Sequence, residues 1–180
     1  MKKYIWIVVS LLFVYVIGNS IYDYVNKSAK ATRITCQKKV TSFERTYIKK
    51  DIKIAQQDIE NTDVKFNSSI QKAKFAKSKL FEFVKLSKMD DVLKKSLDSY
   101  VLNTTQKEKK LEISYYIYEN DVDDPGKKTE KSKLYAGYVV FRFYNQKQEL
   151  IYQVQIDFMD KKGADLPQRI KCAVESFMTL

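Results

Sequence analysis

The feature that most constrains this chain is a change of hydrophobic period at Leu111. In "LEISYYIYE", residues 111–119, Leu111, Ile113, Tyr115 and Ile117 share one face, while Glu112, Ser114, Tyr116 and Tyr118 share the other. A period of two is that of a half-buried strand, whose successive side chains point to opposite sides. "LYAGYVVFRFY", residues 134–144, is apolar at nearly every position, as expected of a central strand covered on both faces. In "LIYQVQIDFM", residues 150–159, Leu150, Tyr152, Val154, Ile156 and Phe158 read as inward, and Ile151, Gln153, Gln155 and Asp157 as outward. Three such segments in succession predict an antiparallel meander.

Upstream the period is helical. Cys36, Val40, Phe43, Tyr47, Ile48, Ile52, Ala55 and Ile59 recur at steps of three and four, which predicts one long amphipathic helix over 36–60. "ENTDVKFNSS" interrupts it with turn formers, and Ser68 or Ser69 is positioned to cap a second helix marked by Ile70, Ala73, Ala76, Leu80, Phe83 and Val84. Met89, Leu93, Leu97 and Tyr100 mark a third. Past the strands, Asp165 is placed as an N-cap, Pro167 falls in the first turn, and Ile170, Ala173, Val174 and Phe177 form the stripe of a closing helix over 166–178. The expected fold class is therefore α+β: helices over 36–102, strands 111–119, 134–144 and 150–159, and a C-terminal helix. In element order alone, this resembles the cone-shaped NTF2-like domains of membrane-tethered secretion components.

The first residues carry an address. Tyr4 to Tyr22 are nineteen residues without a charge, preceded by Lys2 and Lys3. About 20 apolar residues cross a bilayer core of about 30 Å. Tyr4 and Trp6 at one end, with Tyr22 and Tyr24 at the other, match aromatic belts at two membrane interfaces. A cleaved leader is the alternative, but bulky Asn19 between Gly18 and Ser20 makes a mediocre cleavage signal. The expected organisation is a cytoplasmic stub over 1–3, a single-pass anchor or uncleaved signal over 4–22, a juxtamembrane linker over 23–35 and one α+β domain over 36–180. Basic residues flank both ends of the apolar segment, so the positive-inside rule argues against an exported body. The cysteines argue for one.

Cys36 and Cys172 are the only thiols, without the close spacing of a zinc or redox motif. An isolated pair in an exported protein reads as a structural disulfide; the alternative is two unpaired thiols in a cytoplasmic body. The bond would close a loop of about 137 residues and stabilise by up to about 5 kcal/mol in the chain-entropy model.

There is no histidine among the 180 residues, which removes Ser-His and Cys-His nucleophile pairs and imidazole metal ligands. Lys and Arg total 33 against 22 acids. The excess lies before Leu111, where 23 basic side chains meet 11 acidic ones. Only four of the basic residues are Arg, so the excess reads as a solvated surface more than as a phosphate-reading site. "KAKFAKSKLFEFVK" interleaves lysines with aromatics, yet no nucleic-acid-binding motif accompanies it; a weak hold on anionic lipid or cell-wall polymer is its functional version. In "NDVDDPG", Asp121, Asp123 and Gly126 match positions 1, 3 and 6 of a calcium loop, but Pro125 and Ser132 stand where further ligands belong, so it reads as an acidic turn.

The candidate binding surface is the outward sheet face: Tyr116, Tyr118, Tyr138, Arg142, Tyr144, Gln153 and Gln155. Tyrosines with an arginine are residue types enriched at binding hot spots. The competing expectation is a second core layer, with the N-terminal helices covering these rings. No catalytic set, metal site or cofactor is indicated. The expected function is a non-enzymatic scaffold or adaptor in a bacterial envelope assembly, anchored in the inner membrane with its domain in the periplasm and bound to a protein partner. A module holding a small or glycan ligand on the sheet is the alternative. A glycan hydrolase using only carboxylates would need two acids facing across roughly 5–10 Å, and none are nominated.

Overall fold

The computed structural model describes residues 13, 15, 17, 18, 32–61, 64–102, 111–127 and 129–180. Most of the expected anchor and linker lies outside them. Among the described residues, no helix is long and apolar enough to cross a membrane.

The domain is α+β. Its sheet, among the described residues, has five strands in the order β1-β5-β4-β3-β2: β1 (Ser42–Thr46), β2 (Lys65–Gln71), β3 (Glu112–Glu119), β4 (Gly137–Tyr144) and β5 (Leu150–Phe158). Among the described residues, the α-helices that accompany it are α1 (Ile52–Asn61), the single turn α2 (Leu80–Phe83), α3 (Leu86–Asp98) and α4 (Leu166–Met178). Strands β3, β4, β5 and β1 pair antiparallel, whereas β2 runs parallel to β3. A parallel neighbour needs a crossover, and α2 and α3 supply it.

One face of the sheet carries the core. Ile113, Tyr115, Ile117, Val139, Phe141, Phe143, Tyr152, Val154, Ile156 and Phe158 point into it and are buried. Helix α3 lays Met89, Leu93 and Leu97 there, and α4 lays Ile170, Ala173, Val174 and Phe177. Phe177 stacks on Phe143 at 4.1 Å, and Tyr115 on Phe141 at 4.8 Å. The Tyr115 hydroxyl donates to Asp90 at 2.6 Å, so its one polar atom is satisfied. Ile151, expected to face outward, is fully buried: a register shift between Phe143 and Tyr144 accommodates an extra residue and turns it inward.

Two expected helices are corrected. Residues 36–60 do not form one helix: a short 3-10 turn over Thr35–Gln37 leads into β1, and α1 begins only at Ile52. The apolar steps fit a helix, but Thr41, Ser42 and Thr46 are poor helix formers. The open edge of β5 offers them hydrogen bonds instead, with Glu44 opposite Val154. Likewise, residues 70–84 do not form a helix. Ser68 and Ser69, expected as caps, lie within β2, and 72–79 is an irregular loop before the single turn of α2. Asp165 occupies the expected N-cap position of α4 but makes no side-chain cap bond. Its carboxylate accepts from the Met159 and Asp160 amides at 3.0 and 3.2 Å, bracing the loop before α4.

The N-terminal segment is fastened to α4 twice. Cys36 and Cys172 form a disulfide spanning 136 positions. Beside it the Arg33 guanidinium reaches Glu44 at 2.9 Å and the Thr179 hydroxyl and carbonyl at 2.8 and 3.0 Å. Glu44 also accepts from the Tyr152 hydroxyl at 2.6 Å and the Gln37 amide at 3.0 Å. Burial works to raise the Glu44 pKa, but the donors from Arg33, Tyr152 and Gln37 outweigh it and hold the carboxylate below its ordinary range.

The disulfide generates a quantitative expectation. A Cys36→Ser/Cys172→Ser variant should lose about 2–5 kcal/mol of unfolding free energy, read as a lower urea midpoint at unchanged slope. A midpoint equal to that of the parent would show that the polar clamp alone fixes the segment.

Candidate functional site

The opposite face of the sheet is the candidate site. Registers place its outward residues in rows that cross the strands. Tyr118 sits opposite Tyr138, and Tyr138 opposite Asp157. The next row runs from Ser69 through Tyr116, Val140 and Gln155 to Phe43 on β1. Then come Asn67, Ser114, Arg142, Gln153 and Arg45. Tyr144 lies opposite Glu112 at the rim.

All seven predicted residues therefore share one surface, and all are half-buried. The competing expectation placed N-terminal helices over these rings; residues 42–46 and 65–71 are instead edge strands, and α1, the helix that does form within 36–61, buries Ile52, Ala55 and Ile59 in the core. Among the described residues, the buried stripes of α1, α3 and α4 all join the one core cluster that includes the inward residues of the sheet.

The tyrosines are mutually supported. Tyr118 and Tyr138 stack at 4.5 Å, and Tyr116 meets the Tyr138 edge at 6.3 Å. Tyr135 leans on Tyr138 at 6.5 Å. The Arg142 guanidinium stands 5.7 Å from the Tyr116 ring centre and donates through Nε to Gln153 Oε1 at 2.9 Å. A cation over an aromatic face is attracted by the ring quadrupole, and the Gln153 bond fixes its orientation. Burial, then neighbouring Tyr116, Tyr118 and Tyr135 and Asp157, pushes the Tyr138 hydroxyl up to about 12, so that hydroxyl stays protonated across physiological pH. Aromatic rings with few rotatable bonds, locked by one another, present contact area at low entropic cost.

Residues missed by the sequence reading join this surface. Phe43 and Arg45 enter from β1, and with Tyr47, Gln153 and Gln155 they border a shallow depression of about 300 Å³. Their alternation was present in "SFERTY" but too short to outweigh the helical spacing around it. Lys127 places Nζ 5.8 Å from the ring centres of both Tyr118 and Tyr135. No local signal ties Lys127 to those rings.

The acidic turn and the lysine-rich stretch meet in a second place. Asp121 accepts from the backbone amides of Lys74, Phe75 and Ala76 at 2.6, 2.9 and 2.8 Å. Glu119 accepts from the Ala73, Lys79 and Leu80 amides at 3.4, 2.8 and 2.8 Å, and from the Ser78 hydroxyl. Asp121, first ligand of the expected calcium pattern, is thus buried and engaged by the chain itself. For both carboxylates burial favours the neutral acid, but the converging donors win and hold the pKa below its usual range.

The sign follows from linkage: depressed carboxylates add stability above their unfolded pKa of about 4, and that stability is lost as pH falls through the lower folded value. Amide exchange across 73–80, normalised for intrinsic rate, should accelerate as pH falls below about 4. A Glu119→Gln/Asp121→Asn variant should exchange faster already at neutral pH and show little further acid dependence there. Unchanged protection at neutral pH would mean that the loop is held by other contacts.

Comparison with known proteins adds little. No family model matches the chain, and no curated protein matches it. A solved PelC dodecamer from Paraburkholderia phytofirmans aligns with a TM-score of 0.42 and 8% sequence identity, covering 77% of this chain and 97% of that one. A likeness at that level carries no argument about fold or function.

Proposed function

We propose that this chain is a membrane-anchored extracytoplasmic scaffold or adaptor, resident at the inner membrane, that captures a protein partner on its tyrosine-rich sheet face. The observation that carries the reading is that, among the described residues, no helix lies over the outer face. A five-stranded sheet with helices against one side leaves Tyr116, Tyr118, Tyr138 and Arg142 half-buried and rigid on the other. Such rings are partly desolvated before any partner arrives, and stacking already fixes their rotamers. Both effects lower the cost of association.

The disulfide supports the location, because such bonds persist in oxidising compartments. The charge-free segment over 4–22 supports the anchor. A non-enzymatic role is supported by the chemistry of the acids. Glu119, which lines a cavity of about 400 Å³, and nearby Asp121 direct their oxygens at amide and hydroxyl donors and so are engaged in structure. The shallow depression beside Gln153 and Gln155 favours a flat protein contact over an enclosed small-molecule pocket.

Photocrosslinking in the native envelope tests this. A photoreactive phenylalanine at position 116 or 138 should give one discrete protein adduct, and the same probe at exposed Lys94 on α3 should not. Arg142→Ala should weaken that contact by roughly 30-fold if Arg142 is a hot spot. Equal labelling from position 94, or none from the sheet, would overturn the proposal.

A further inference from the structure

Six lysines, at 72, 74, 77, 79, 85 and 88, lie between Gln71 and Met89, with Glu82 as the only acid among them. All six are exposed. Set among them, Phe75 and Phe83 are 61% and 53% exposed. Large aromatic rings standing in water between cations are an unusual use of surface, and neither ring contributes to the core.

The backbone beneath them is held in place. Asp121 and Glu119 grip the amides of 73–76, 79 and 80. Asp160, in the adjoining loop, turns Oδ1 to the amides of Lys162 and Ala164 at 2.8 and 3.2 Å. Three acids at this pole thus face backbone donors, and among the described residues none of the six lysines forms an ion pair. The ammonium groups stay available to an external anion. Lys77, Lys79, Lys133 and Lys161 border the depression of about 400 Å³ beside the loop. Lys162 places Nζ 5.4 Å from the Phe83 ring centre.

We infer that this pole docks on an anionic phospholipid bilayer, its lysines on headgroup phosphates and Phe75 in the interfacial layer. Lysine suits this task because its long apolar stem lies along the interface while the ammonium stays in water. The absence of Arg from residues 71–89 argues against geometric reading of individual phosphates. Interfacial aromatics among cations fit a bilayer, which offers negative charge above an apolar layer. Each lysine brought to an anionic leaflet strengthens attachment about fivefold. The pole lies at the N-terminal end of α4, where Gly163 packs against Val84 and Leu80, whereas Arg33 binds at the other end. The thirteen residues of α4 rise about 20 Å. The ten residue steps from Tyr22 to Thr32 reach at most about 33 Å, so a domain tethered by residues 4–22 can lay this pole on the same bilayer.

The test uses the full chain carrying Trp6→Phe and Phe75→Trp, so that a single indole reports from the loop. It is reconstituted with vesicles of phosphatidylcholine, or of phosphatidylcholine and phosphatidylglycerol in equal parts, with brominated acyl chains as quencher. Emission should shift to the blue and be quenched in the mixed vesicles only, and high salt should reverse both effects. Adding Lys72→Gln, Lys74→Gln, Lys77→Gln and Lys79→Gln should lower the docked-to-free ratio roughly a hundredfold or more. An unchanged melting curve for that variant would show that the domain is intact. Equal emission in the two vesicle types, or an unaffected lysine variant, would overturn the inference. A blue shift induced by soluble polyphosphate without bromine quenching would also overturn it, pointing to a dissolved polyanion. These readouts are local to the loop, so they stand or fall independently of the sheet-face adaptor reading.

Discussion

A β-strand must send alternate side chains to opposite faces, and the rest of this structure depends on how β3, β4 and β5 obey that rule together. With Tyr115, Phe141 and Val154 in one inward row, the same registers force Tyr116, Val140 and Gln155 into one outward row. A slip of one residue would exchange the two sets and place Phe141 and Phe143 in water. Burial of the inward rings therefore fixes the outward surface without any interaction on that surface having to specify it. The tyrosine cluster is accurate because the core behind it is.

The sheet does not by itself decide what covers its edges. Strand β1 lies along β5 while the chain before it is bound to α4 by the disulfide and by the Arg33, Glu44 and Tyr152 cluster. Cross-link and polar cluster act on the same few residues, so each lowers the entropy that the other must overcome. At the opposite end of α4, Glu119 and Asp121 hold the crossover from β2 in an irregular path. Both places join distant segments through carboxylates that meet several donors, half-buried at Glu44 and buried at Glu119 and Asp121. A buried ion otherwise costs several kcal/mol, and satisfying its oxygens removes most of that penalty. The two ends also differ in use. One ties the domain to the segment that follows its expected anchor, and the other leaves its lysines open to solvent.

The candidate site was legible to the extent that it depends on alternation. Tyr116, Tyr118, Tyr138, Arg142, Gln153 and Gln155 were named from their own strands, since parity along a strand is written in the strand itself. Phe43 and Arg45 were not, because their strand forms only when β5 offers an edge, and five residues of alternation cannot outvote a helical stripe about five times as long. Whether the surface would be covered was equally out of reach: of the helices read over 36–60 and 70–84, only the stretch from Ile52 and the single turn at 80–83 are α-helical, while 42–46 became β1 and 72–79 a loop. Asp121 shows the same gap. Its spacing to Asp123 suggested a cation, while its real partners are amides about 45 positions earlier in the chain.

The sequence by itself determined the α+β class, the inward and outward residues of β3, the stripes of α3 and α4, and the eligibility of Cys36 and Cys172 to pair. Each of these follows from local periodicity or from a count of residue types, which need no knowledge of what lies across the fold. Only the tertiary structure decided that residues 42–46 and 65–71 are edge strands, that β2 runs parallel to β3, and that the loop of 72–79 is wound around two carboxylates. In those segments helix and extended chain differ little in local energy. The choice falls to hydrogen-bond partners supplied from distant positions.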